Sequence, residues 1–284
     1  MKNFLIAANS SKAGSEEYAN RMISILEKNG CRCTAYLTSE DHDGRLTYAD
    51  PEKVPADTEA ILSLGGDGTY IHVAKELLKL NLPVLGVNYG TLGYLTEVDA
   101  DHFEDALNSI LSGDYKIEEH ILLKAEVIRN GRSVYSDLAV NDIVMNRSIS
   151  TGISYFDVRI DGNFLNSYAA DGIILSTPTG STGYNLSAGG PVVLPSAEIF
   201  LVTPLCAHTL NSRSMVFPAS VEIELVPRPG TADKPQINYL TVDGGKEFIL
   251  QDGDIIKASK TSIHIKAIKI DKMSFVEHLG KKMR

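Results

Sequence analysis

The chain has 284 residues, a length that favours about two domains, and its 43% hydrophobic and 22% charged content is ordinary for a globular protein with ample core. Its 36 Asp and Glu outnumber 27 Lys and Arg, leaving a net charge of −9 with histidines neutral, which argues against a general nucleic-acid or anionic-membrane surface. No apolar stretch is long enough to span a bilayer, so a soluble, cytoplasmic protein is expected, with neither nucleic acid nor membrane as partner.

Residues 4–8 read as a first strand, too short an apolar run for a signal peptide. A helix follows near 15–29, with Tyr18, Met22, Ile25 and Leu26 on one face and Gly30 as its stop. Residues 31–37 read as a second strand. Cys31, Cys33 and Cys206 make neither a disulfide framework nor a zinc set, and are expected as reduced, half-buried thiols. The polar segment 38–57, which holds Pro51 and Pro55, is the expected mobile loop.

The strand over 60–64 breaks straight into Gly65-Gly66-Asp67-Gly68-Thr69. Three glycines let the backbone approach a ligand without Cβ interference, and the amides opening the next helix attract anions. A carboxylate in the middle of such a loop conflicts with that field. The conflict points to chemistry at Asp67, either taking a proton from an attacking hydroxyl or working beside a metal. A plain Gly-Asp turn is the alternative, and the strand–turn–helix context weighs against it. Tyr70, Val73, Ala74, Leu77 and Leu78 then trace a helix face that closes at Asn81 and Pro83. A dinucleotide fingerprint starting at Gly66 would need glycine at Ile71, and no Gly-Lys-Ser/Thr ending exists, so neither a standard dehydrogenase nor a P-loop NTPase is expected. His72 and Lys75 lie close enough to touch a phosphate, although a solvated face explains Lys75 equally well. Residues 83–87 read as another strand. Asp101 with Glu104 reads as a cap for a helix carrying Phe103, Ala106, Leu107, Ile110 and Leu111 and ending at Gly113. Strands alternating with helices imply a parallel sheet covered by helices.

From about 118 the pattern changes to β-rich runs punctuated by Asn130-Gly131, Asp161-Gly162, Asp243-Gly244 and Asp252-Gly253, the strongest short hairpin signals. This half reads as all-β, a sandwich. Within it, Asn141-Asp142 interrupts an apolar strand. Alternation would turn one of the two toward the core, where an unpartnered polar group costs ~1–3 kcal/mol, so a ligand or a turn must satisfy it. Further on, a buried strand from Asp171 opens into Thr177-Pro178-Thr179-Gly180-Ser181-Thr182-Gly183-Tyr184-Asn185-Leu186-Ser187. Its hydroxyls suit a ribose or an adenine edge, Tyr184 offers a ring face, and Asp171 can accept from ribose hydroxyls or a carboxamide. A Ser/Thr-rich turn satisfying its own backbone is the alternative. Thr179 stands where a serine-hydrolase elbow needs its first glycine, which dismisses that reading. His208 and Arg213 lie in a polar loop, and seven scattered histidines show no metal spacing. Residues 274–282 look helical again.

Taken together, these blocks resemble the NAD kinase family, whose members phosphorylate the 2′-hydroxyl of the adenosine ribose of NAD to make NADP. The matching residues are 65–69, 86–95, Asn141-Asp142, 171–191 and 203–214. The glycine loop is shared with lipid kinases and phosphofructokinases; its combination with residues 177–182 is far more specific. The resemblance implies a Rossmann-like α/β domain over 1–117, joined by about 269–284, and a β-sandwich NAD-binding domain over 118–268. It implies Asp67 as the base, with Gly65, Gly66, Gly68 and Thr69 forming the phosphate loop. Asn141, Asp142, Thr179, Thr182 and Gly183 would hold the adenosine part of NAD, and Asp171, Tyr184 and Ser187 the nicotinamide riboside, with Gly68, His72 and Asn185 also at the substrate. Asp142 stands where Glu is common in the family, Gly183 where Ala is common, and Ala169 and His72 where arginines occur. ATP or another nucleoside triphosphate or polyphosphate would be the donor. Mg2+ or another divalent metal would be held through the donor's phosphates, with no protein metal site. A homo-oligomer, dimer or tetramer, is implied. The rival readings are a diacylglycerol-kinase-like or sugar kinase and a non-catalytic NAD(P)-binding sensor.

Overall fold

A computed structural model describes residues 1–11, 13–40, 46–90, 93–148, 152–208, 212–229, 236–270 and 279–280. The chain divides into two compact units, Met1–Glu119 with Ile265–Arg284, and His120–His264.

The first unit is built on strands β1 (Asn3–Ala8), β2 (Arg32–Leu37), β5 (Ala60–Leu64) and β6 (Val84–Asn88), all parallel in the order β2-β1-β5-β6. Two short strands, β3 (Ser39–Glu40) and β4 (Leu46–Thr47), pair with each other, and β7 (Val98–Asp99) lies beside β6. β5 and β6 are buried at every position, because helices cover both faces of the sheet. On one face Phe4, Ile6, Leu62 and Leu85 pack against α1 (Ser15–Lys28) and α3 (Phe103–Ser112) through Met22, Leu26, Phe103 and Leu107. On the other, α2 (Asp67–Glu76) sets Tyr70 so close to Gly86 that a Cβ there would stand 3.1 Å from the ring. The strand order reverses between β1 and β5, and in open α/β sheets ligands usually bind beyond the carboxyl ends of the strands at such a reversal. The glycine loop leaves β5 at this end, where the Asn9 amide donates to the Leu64 carbonyl at 3.2 Å.

The second unit is antiparallel. One sheet runs β15 (Met215–Pro218), β14 (Ile199–Leu205), β13 (Gly172–Ser176), β10 (Asp142–Arg147), β17 (Asn238–Val242), β18 (Phe248–Leu250). The other holds β12 (Asn163–Ala170), β11 (Ser154–Ile160), β16 (Ile223–Pro227) and β19 (Ile255–Lys269), with β8 (Lys116–Arg129) and β9 (Arg132–Ala139) as a hairpin. A single core joins Ile143, Ile173, Phe200 and Leu240 of the first sheet to Leu123, Phe156, Val158 and Leu225 of the second, so the expected sandwich is present. The opposite face of the first sheet is apolar in its middle as well. Val144, Ile174 and Leu205 pack there with Ala188, under a 3₁₀ turn (Thr179–Thr182) and the one-turn helix α4 (Tyr184–Ser187).

Several local expectations change. Asn130-Gly131 and Asp161-Gly162 make two-residue turns with positive φ at both residues, as the hairpin signal requires. Asp243-Gly244 has the same dihedrals, yet Leu240 pairs with Phe248, so the connection is longer than a tight hairpin. Asp252-Gly253 joins β18 to β19, which lie in different sheets. Turn chemistry sets the reversal, while the face that each run buries sets its pairing. The helix α3 is entered through a 3₁₀ turn (Ala100–His102) capped by Asp99, whose side chain accepts from the Asp101 amide at 2.9 Å. Asp101 itself pairs with Arg21. Of segment 38–57, expected as a mobile loop, the described residues form the β3–β4 pair and a 3₁₀ turn (Pro51–Lys53), and Glu76 accepts from the Tyr48 and Ala49 amides. Its residues 41–45 lie outside the described residues, as does the helix expected at 274–282, save for 279–280, which are helical.

Candidate active site

In the first unit, Asp67 occupies the first turn of α2. Its carboxylate accepts from three successive backbone amides, Tyr94 at 2.7 Å, Leu95 at 3.0 Å and Thr96 at 3.2 Å, and from the Thr96 hydroxyl at 3.4 Å. Gly93 makes the approach feasible, since a Cβ there would overlap the carboxylate. Gly65 is required for a similar reason: its missing Cβ would run into the Thr69 side chain. Among the described residues, nothing lies within 4 Å of where a Cβ on Gly68 would stand. Charged oxygens held by amides cannot swing, and Asp67 is thereby a preset acceptor beside a helix N-terminus that favours anions.

Around the loop the Asn9 side chain reaches both the Thr69 and the Tyr48 hydroxyls at 3.5 Å. Tyr48 stacks on His72 with centroids 5.4 Å apart and rings 10° from parallel. Thus His72, exposed on α2, is backed by the anchored segment that begins at β4.

In the second unit, Asn141 immediately precedes β10 and Asp142 opens it, and neither side chain belongs to the apolar core between the sheets. Asp142 shares the outer face of its strand with Val144 and Asn146, while Ile143 and Met145 point inward. A pocket of about 370 Å³ lies on that outer face, lined by Asn141, Asp142, Asn146, Tyr184, Thr241 and Asp243 among others. The turn before β10 is wrapped by residues 176–180. Thr177 donates to the Val140 carbonyl at 2.6 Å and from its amide to the Asn141 carbonyl at 2.9 Å, and a Cβ on Gly180 would overlap the Asn141 backbone. Despite this close packing, Asn141 Oδ1 and Thr179 Oγ1 are buried without a hydrogen-bond partner. Two such orphans are costly unless a ligand completes them.

Burial first, and then the charge of Asp243, push the Asp142 carboxyl up to about 7. The Tyr184 phenol is also raised, by burial and then by Cys206, Asp142 and Asp171, which marks these groups as its neighbours. Tyr184 is 47% exposed and presents its ring at the pocket wall. Asp171 accepts from Arg147 Nε at 2.8 Å. Thr182 turns its hydroxyl back to the Thr179 carbonyl at 3.5 Å, Gly183 lies against the Asn141 amide group, and Ser187 is exposed. Asn185, expected at the substrate, is instead wholly buried: it donates to the Ser181 and Pro191 carbonyls and accepts from Thr203 Oγ1 at 2.7 Å. It holds the loop together. Thr91, Leu92 and residues 209–211 of the other matching stretches lie outside the described residues.

Gly93, the 94–96 amides and Asp243 were not anticipated as parts of either site. The tight Gly86–Leu95 stretch hinted at the first group, whereas Asp243 gave only a turn signal. Among the described residues, no group of three or more His, Cys, Asp or Glu is placed to hold a metal, and no helix is long and apolar enough to cross a membrane.

The model of the ATP-NAD kinase N-terminal domain matches residues 4–115, and that of the C-terminal domain matches residues 140–270. An NAD kinase of Lachnospira eligens is 36% identical over 293 aligned positions, covering 100% of both chains. The chain belongs to the NAD kinase family. Its fold matches that of yeast NADH kinase, crystallised with NADH, at a TM-score of 0.85 and 24% identity, over 100% of this chain and 87% of the other. An NAD kinase from Archaeoglobus fulgidus in complex with ATP gives 0.72 and 23%, over 100% and 99%.

Proposed function

We propose that the protein transfers a phosphoryl group to the 2′-hydroxyl of the adenosine ribose of NAD, giving NADP, with ATP or another nucleoside triphosphate or polyphosphate as donor. The observation that carries this reading is an acidic side chain fixed in a glycine-loop helix start, in a chain related over its full length to NAD kinases. The ribose oxygen attacks the terminal phosphorus, its proton passes to Asp67, and the bond from that phosphorus to the leaving phosphate breaks. Gly65, Gly66, Gly68 and Thr69 offer backbone amides and room to the phosphates, and His72 lies within reach of them. Asn141, Asp142, Thr179, Thr182 and Gly183 serve the adenosine, which would complete the orphaned Asn141 and Thr179 oxygens. Asp171, Tyr184 and Ser187 serve the nicotinamide riboside.

A divalent metal, Mg2+ for preference, would be held by the donor's phosphates and neutralise their charge, as a net negative chain with two anionic substrates needs. We further propose a cytoplasmic homo-oligomer. Incubating the protein with NAD, ATP and Mg2+ and reading NADP with an NADP-specific dehydrogenase tests the reading. NADP should form, and excess chelator should abolish it; full turnover in chelator would remove the metal from the account. Phosphate transfer to a lipid or sugar alone would favour the related kinases, and NAD binding without turnover would favour a sensor.

A further inference from the structure

Asp243 lines the β10 pocket and has no part in the roles above. It sits in the left-handed region, φ 49°, with Gly244 at 66°, in the long connection from β17 to β18. From there its carboxylate accepts from the amides of Val140 at 2.9 Å, Asn141 at 2.7 Å and Asp142 at 3.1 Å, and its own amide donates to the Asp142 carbonyl at 2.9 Å. Three successive amides cannot converge on one anion from an extended strand, whose N–H groups alternate in direction; they can from a backbone nest. The chain therefore enters β10 through a nest folded round Asp243. That turn is what leaves Asn141 at the pocket and directs Asp142 to the outer face.

We propose that Asp243 is a positioning residue for the substrate: its carboxylate locks the Asn141–Asp142 backbone, and its charge acts on the Asp142 carboxyl beside it. The inference deepens the reading of this pocket as the NAD site and rests on it for the effect on KM. Asp142 is faced by Ser176 across β13, by Thr241 and Asp243 from the β17 side, and by Tyr184 from α4. No Lys, Arg or His lines the pocket among the described residues, and its second acid is Asp243. The Asp243 carboxylate, hydrogen-bonded to the Asp142 amide, adds its charge to burial in raising the Asp142 carboxyl.

Asp243→Asn tests both parts, because it removes the charge and sets an amide NH2 against backbone N–H groups. Hydrogen exchange at residues 140–142 should quicken by at least about tenfold, and the Asp142 carboxyl, followed by carbon NMR, should titrate at lower pH than in the wild type. Neither readout needs NAD, so both hold even if the substrate is another molecule. KM for NAD should rise about tenfold or more while kcat stays within about threefold. A merely structural residue would lose protection without moving the titration of Asp142. Asp243→Glu separates the parts, and decides the matter if the first variant does not fold: the longer acid should lose the amide protection yet keep Asp142 near its wild-type midpoint. Unchanged exchange at 140–142 in whichever variant folds would overturn the lock, and an Asp142 midpoint unmoved in Asp243→Asn, or displaced downward in Asp243→Glu, would overturn the electrostatic part.

Discussion

The glycine loop and the β10 turn use the same device in opposite senses. In each, one carboxylate gathers three successive backbone amides: Asp67 takes those of Tyr94, Leu95 and Thr96, and Asp243 those of Val140, Asn141 and Asp142. In the loop, the acid that is held is the one expected to act. At the turn, the acid is the holder, and two of the residues whose amides it gathers, Asn141 and Asp142, line the pocket. An amide nest round a carboxylate therefore marks a rigid point, and chemical context decides which partner does the work.

If the two regions divide the labour as chemistry and binding, variants should separate them. The largest effect is expected from Asp67→Asn, which keeps shape and removes the proton acceptor. Turnover should fall by about two orders of magnitude or more, while NAD affinity measured by calorimetry survives within a few fold. Equal loss of both would break the division. Gly93→Ala comes next, because the new Cβ must displace the Asp67 carboxylate. A drop of roughly 10- to 100-fold in kcat is expected, with KM for NAD little changed. A variant as active as the wild type would mean that the carboxylate's placement is not critical.

Asn141→Ala should act on the other side of the comparison. KM for NAD is expected to rise about tenfold with little change in kcat or Tm, since Asn141 Oδ1 is already without a partner in the fold. An unchanged KM with a large drop in Tm would make the residue a structural one. A last effect concerns pH. Asp142 titrates higher in the folded chain, about 7, than in an unfolded one, so the folded state binds more protons between these values. Its contribution to stability therefore falls as pH rises from about 4 to 7 and levels off above. Asp142→Asn removes that slope, so its Tm should gain on the wild type across this window. A constant Tm difference from pH 4 to 8 would count against the raised ionisation.

The sequence by itself determined what depends on neighbouring residues. Buried runs at 60–64 and about 83–87, the apolar faces of α1, α2 and α3, the glycine loop, and the Asn130-Gly131 and Asp161-Gly162 turns all follow from periods and dihedral preferences within a few residues. The motif content was enough to point to the NAD kinase family. Only the tertiary structure decided the partners. Tyr94 lies 27 positions from Asp67, and Val140 lies 103 from Asp243, so no local pattern could reveal either nest. The same holds for Asn185, whose amide looked free for a ligand until Pro191 and Thr203 closed on it. It holds too for Asp252-Gly253, a turn whose strands separate into different sheets. A polar side chain's role is set by which donors and acceptors the fold brings to it, and those contacts form only when distant segments pack.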